Sequence, residues 1–185
     1  MPGSRRLPHL CRIKNAGIPG NETSERKTFP LGNVNLQNCN IMSALFSSGN
    51  DWTGLVLRLF AGLIIFPHGA QHLLGWFGGF GFKGFMNFLT ETHHLPWLIA
   101  LCVVLIEFFG SLFLIAGLGS RLWAVAMIVL MLGIIFTSHV QHGFFMNWVG
   151  AQQGEGYEYH LLVIGLCIAI ILNGSGKLSL DGVLV

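Results

Sequence analysis

Seven charged or imidazole side chains fall in stretches otherwise apolar enough for lipid: Arg58, His68, His72, Glu107, His139, His142 and His160. Such groups are costly inside a bilayer, so each needs a reason to be there. Imidazole ligates zinc, copper, iron or haem, and it can give a hydrogen bond to a quinone carbonyl. A carboxyl group held away from water must pair with a cation or keep its proton. A carboxyl that keeps its proton beside a redox cofactor can relay it. His68 and His72 are spaced i,i+4, and His139 and His142 are spaced i,i+3, so each pair shares a helical face. Helical bundles build metal and cofactor sites from inward pairs of this kind.

These residues need helices to carry them. The stretch Leu55 to Gly79, LVLRLFAGLIIFPHGAQHLLGWFGG, reads as the first of four membrane helices, running from about Trp52 to Leu74 with Asp51 as its N-cap. Pro67 lies near its far end and frees a backbone carbonyl there. A second helix follows Pro96 and runs to about Leu118, with Glu107 as its ionisable residue. A third runs from about Leu122 to Val140, where Gly133 and Thr137 form a small-xxx-small pair suited to close packing. The fourth is the weakest. Its apolar run from Leu161 to Leu172 is short for a span, and Tyr157 to His160 must lengthen it. The expected architecture is all-α: an integral membrane four-helix bundle with a disordered N-terminal tail.

Depth then groups the side chains. His68 and His72 lie in the outer half of the first helix, His139 and His142 at the outer end of the third, and His160 near the outer start of the fourth. Five histidines from separate helices meet at one level. We expect His68, His72 and His139 to bind a cofactor, with His142 and His160 as further metal candidates. Glu107, near mid-membrane, is the expected proton-handling residue, and Arg58 is within reach as its cationic partner. The plainer alternative makes the histidines an interfacial polar layer bonded to loop carbonyls and water, while Arg58 snorkels to the surface.

Composition agrees. Of 185 residues, 52% are hydrophobic and only 10% charged, against about 25% charged in soluble domains. Mean hydropathy is +0.64. The net charge of +2 excludes a nucleic-acid binder. Residues 1–50 are polar and rich in Gly, Asn and Ser, without an apolar period, and read as disordered. Met42 opens a more ordinary membrane-protein start, so translation is expected to begin there. Cys11, Cys39, Cys102 and Cys167 form no CxxC pair; Cys102 and Cys167 read as small buried hydrophobes.

Gly79, Gly81 and Gly84 spell a formal GxGxxG, but a membrane helix precedes them where a dinucleotide site needs a strand. The following segment, Phe82 to Thr90, reads as a short amphipathic helix in the interface, with Phe82, Phe85, Met86 and Leu89 on one face. His93 and His94 read as loop residues. Arg121 and Lys177 lie on one side of the membrane with the N-terminal basic residues, and only Lys83 lies opposite. Both termini are therefore expected in the cytoplasm.

An ordered set of residues resembles the DoxX family of small bacterial membrane proteins. It begins with Arg58-Leu59, Phe66, His68-Gly69, Gln71 and Gly75 to Gly79. It continues with Glu107, Gly110, Gly117, Arg121, His139 and Gly143 to Phe145. Gly156, Glu158, Tyr159, Leu161, Leu162, Gly174, Gly176 and Ser179 to Asp181 complete it, so the resemblance covers about residues 55–184. His72 stands where such proteins often carry lysine, and His142 and His160 are not typical of them. The resemblance implies a four-helix protein of the bacterial inner membrane with a redox role. Similar proteins look like subunits of quinone-linked sulfur oxidation, or partners of thiol and superoxide defence enzymes.

Two functional readings follow. In the first the chain is a redox-linked subunit holding a quinone, haem or transition metal. In the second it is a non-catalytic assembly or docking partner for another enzyme. The expected partners are the lipid bilayer, another redox protein and further copies of the chain. A small-solute transporter is a third reading, but no inverted repeat is visible.

Overall fold

The computed structural model describes residues 51–184. Expectations about residues 1–50, the disordered tail and the Met42 start among them, lie outside the described residues. Six α-helical elements follow one another: α1 Trp52–Leu74, α2 Gly81–Asn87, α3 Trp97–Ala116, α4 Ser120–His142, α5 Glu158–Asn173 and α6 Asp181–Leu184. Among the described residues there is no strand; of the GxGxxG glycines, Gly79 lies in a loop and Gly81 and Gly84 lie in the first turn of α2. The helices α1, α3 and α4 are long and apolar enough to cross a membrane. The fourth apolar helix, α5, has 16 residues.

Local chemistry sets the helix ends. The Asp51 carboxylate accepts the Gly54 N–H at 3.0 Å and caps α1 as expected. Gly75 closes α1 in the left-handed region at φ 74, and Gly117 closes α3 at φ 71. Both α3 and α4 contain a π turn, at Ile106–Gly110 and Ile135–His139. Such turns insert an extra residue and often mark functional positions.

The four apolar helices close a ring: α1 packs on α3 and α5, and α4 packs on α3 and α5. Glycines let α1 approach its neighbours. A Cβ on Gly69 would lie 2.6 Å from the Phe108 backbone, and one on Gly62 would lie 2.9 Å from the Ser111 carbonyl. The expected notch at Gly133 and Thr137 does not do this. Both residues are exposed, nothing lies within 4 Å of a Cβ on Gly133, and Thr137 bonds back to the Gly133 carbonyl at 2.9 Å. The helix-packing glycines therefore lie on α1, the helix central to the contacts. Cys167 is buried as expected, but Cys102 is exposed on the outer face of α3.

The core of the ring is apolar, built by Ala61, Ile65, Leu114, Met127, Met131, Val163, Cys167 and Ile170. A second cluster seats α2 on the bundle through Phe85, Met86, Leu89, Ala100 and Val104. Phe85, Met86 and Leu89 form the expected apolar face, while Phe82 stays exposed. His93 packs edge-on against Phe88 at 4.7 Å, in the loop as expected.

Candidate functional site

The two ends of the ring hold different chemistry. At the end that holds Asp51 and α6, Arg58 is 1% exposed and donates to five backbone carbonyls. Nε reaches Ser175 at 2.9 Å, and the terminal nitrogens reach Leu114, Ile115, Lys177 and Leu178. Leu114 and Ile115 are in the last turn of α3, where the negative end of the helix dipole welcomes a cation. Asp181 is fully buried beside this cluster. It accepts the Gly119 N–H at 2.6 Å, the Ser120 N–H at 3.2 Å and the Ser175 hydroxyl. Those two N–H groups open α4, where an anion is favoured. Arg58 and Asp181 thus tie the segment after α5 to the α3–α4 turn.

This corrects the expected Arg58–Glu107 pair. Arg58 is committed to carbonyls and to the field of Asp181, while Glu107 pairs with His72, Nδ1 to Oε2 at 2.5 Å. Arg58 does not snorkel either; the backbone solvates it inside the protein. Its place is remote from the cavity described next, so it has no direct hand in chemistry there.

At the other end, a cavity of ≈ 270 Å³ is lined by Ile65, His68, His72, Glu107, Met131, Ile134, His139, Met146, Glu155, Tyr159 and His160. Glu107 is 5% exposed and turned inward by the π turn of α3. The His72 ring lies flat on Phe85 of α2 at 3.5 Å between centroids, which fixes its orientation. His139 ends the π turn of α4 and meets the Glu155 carbonyl through Nδ1 at 2.7 Å. Its ring is 4.4 Å from that of His160, which is 5.5 Å from that of Tyr159; Tyr159 in turn is 6.1 Å from His68.

Two polar atoms in the cavity wall are buried without a hydrogen-bond partner: Tyr159 Oη and His160 Nδ1. Buried polar groups are nearly always satisfied, so this pair marks a place for water or ligand. Met131, Ile134, Met146 and Ile65 make the remaining wall apolar.

The expected level of imidazoles is present, with two differences. His68 lines the cavity but is also exposed. It continues the outward face of Phe60 and Ile64, at i and i+4, so it stands on the rim where the cavity meets the outer surface of α1. His142 does not line the cavity. A 3-10 turn at Val140–His142 follows the π turn and carries its ring against Gly154. Among the described residues, no group of three or more His, Cys, Asp or Glu side chains could hold a metal ion.

Sequence reasoning overlooked Tyr159 and Glu155 as wall residues. Tyr159 precedes His160 and counted as part of a short helix and of the family resemblance, not as a site residue. Glu155 belongs to a loop whose return over the cavity has no periodic signature. Its Oε2 accepts the Asn147 N–H at 2.8 Å, and Glu158 accepts the Met146 N–H at 3.4 Å, so the loop is folded by its own carboxylates.

Residues 54–140 match the DoxX family. The chain carries a DoxX domain. It is a multi-pass membrane protein, and α1, α3 and α4 fall within the matched residues but for Trp52, Thr53, Gln141 and His142. The chain is also similar to a Bacillus subtilis (strain 168) protein named "Putative oxidoreductase CatD", with 29% identity over 127 residues, 69% of this chain and 83% of that one. No solved structure matches the chain. The DoxX match ends at Val140, so Glu155, Tyr159 and His160 lie outside the matched residues.

Proposed function

We propose that this DoxX protein is a redox-linked membrane subunit whose cavity takes the ring of a lipid-soluble quinone and exchanges protons with it. The observation that carries this reading is the cavity wall itself. A carboxyl–imidazole pair, buried Glu107 with half-buried His72, shares one space with the unpartnered Tyr159 Oη and His160 Nδ1. A quinone carries two electrons and two protons in lipid. Its ring carbonyls are acceptors, so a Tyr159 hydroxyl and a protonated His160 nitrogen are suitable donors. Met131, Ile134 and Met146 offer apolar contacts to the ring faces.

Size supports the same class of ligand. Ligand pockets run from about 300 to 1,000 Å³, and ≈ 270 Å³ suits a single ring rather than a porphyrin. The rim at His68 gives such a ligand a lateral way in, because Phe60 and Ile64 on the same face suit acyl chains. The similarity to a Bacillus protein named as an oxidoreductase is consistent with the reading. We place the chain in a bacterial inner membrane, with α5 as the fourth span and the Arg121 and Lys177 side in the cytoplasm. Residues 51–185 then form the working domain.

Titration of protein purified in mild detergent with a short-chain benzoquinone tests the reading. Saturable binding, weakened at least tenfold by Tyr159→Phe together with His160→Phe, is expected. Lack of saturable binding, with no quinone extractable from the freshly purified protein, overturns it.

A second reading, a non-catalytic docking partner, draws on the aromatic loop tips. Phe80, Phe145 and Trp148 are 79%, 68% and 85% exposed. In that case the Glu107–His72 pair would act only in holding α1 on α3.

A further inference from the structure

The cavity is open to proton traffic at one end and closed at the other. We infer that Glu107 exchanges protons only with the side of the membrane that carries the loop of residues 143–157, through His68, Tyr159, His160 and His139. The inference rests on the reading of Glu107 as the proton-handling group and adds the direction from which its protons come.

The route is written in the wall. Glu155 is exposed on the loop, and its carbonyl meets His139 Nδ1 at 2.7 Å. From His139, ring centres follow at 4.4 Å to His160 and 5.5 Å to Tyr159. His68 lies 6.1 Å beyond Tyr159, and the charge of Glu107 acts on both His68 and Tyr159. Gaps of this length are bridged by water, and at about 30 Å³ per molecule the cavity has room for several. The unpartnered Tyr159 Oη and His160 Nδ1 would bond to those waters. His160 can accept a proton on one ring nitrogen and release another from the second, while His139, its Nδ1 held by the Glu155 carbonyl, takes up and returns a proton at Nε2. The groups facing Glu107 are His68 and His72 from α1, His139 from α4, Tyr159 and His160 from α5, and Glu155 from the loop.

The opposite direction is sealed. From His68 back to Arg58 there are ten residues of α1, or about 15 Å of helix. Ile65, Met131, Val163, Ala61, Leu114, Met127 and Cys167 fill that depth at 7% exposure or less. The Ser111 hydroxyl is the polar group near this layer, and it is spent on the Phe108 carbonyl at 2.8 Å. Below it, the Arg58 guanidinium donates to five backbone carbonyls and has no acceptor to offer a proton.

The test uses full-length protein reconstituted in vesicles and sorted for one orientation by a tag at the C-terminus. Infrared difference spectroscopy follows the Glu107 carboxyl band, assigned by its loss in Glu107→Gln. The pH is stepped with an impermeant buffer on one side at a time. The band is expected to answer a step on the loop side at least tenfold faster than a step on the terminal side. The double variant His139→Gln, His160→Gln should slow the loop-side response about tenfold, and benzoquinone affinity measured in parallel reports separately on the site. An equal or faster response from the terminal side overturns the inference, as does a band that answers neither side. Because the readout needs no quinone, these outcomes are separate from a failure to bind it.

Discussion

Glu107→Gln separates chemistry from architecture. The substitution preserves shape and leaves an amide that can still bond His72. What is lost is the charge assistance of that hydrogen bond. Bonds to charged groups contribute about 1.5–3 kcal/mol and neutral ones about 0.5–1.5, so the variant should lose about 1 kcal/mol. The desolvation of a buried carboxylate is relieved at the same time, which pulls the loss lower still. In a chain of this size that corresponds to a drop in Tm of about 2–4 °C. Thermal unfolding in detergent, followed by the monodisperse fraction, measures it. Under the redox reading the variant folds and accumulates normally, while proton exchange at the cavity is abolished. If the variant instead loses 4 kcal/mol or more, or fails to accumulate, the pair is an architectural clamp and the argument for proton handling fails.

Tyr159→Phe removes a buried hydroxyl with no partner. Stability should hold or rise by up to about 1 kcal/mol, while benzoquinone affinity falls about tenfold, read by thermal unfolding and by titration. Asp181→Ala leaves the Gly119 and Ser120 N–H groups unpaired and Arg58 without its buried counter-charge. A loss of about 3–5 kcal/mol is expected, seen as low abundance and early aggregation. Gly69→Ala puts a Cβ 2.6 Å from the Phe108 backbone. It should cost about 1–3 kcal/mol of overpacking and lengthen the adjacent His72–Glu107 contact, visible as a shift of the Glu107 infrared band.

Much of this molecule is one-dimensional information. The apolar run from Trp52 to Leu74, Asp51 before it and Gly75 after it define α1, because capping and hydropathy act over a few neighbouring residues. Counting along each helix also places His68, His72, His139 and His160 at one depth, because the rise per residue is constant. Which way a side chain turns about its helix axis is another matter. Glu107 and His139 both lie in π turns, and one inserted residue rotates everything beyond it by about 100° relative to an unbroken α-helix. Face arguments from i,i+3 spacing therefore joined His139 and His142, which the turns at the end of α4 part. The partners of Arg58 were equally hidden. A guanidinium can be satisfied by a carboxylate or by carbonyls, and here the turns after α3 and α5 supply carbonyls within reach. Sequence determined how deep each polar group lies and that it must be satisfied. Only the packing of the helices decided with whom, because that choice depends on azimuth and on loops that return from far along the chain.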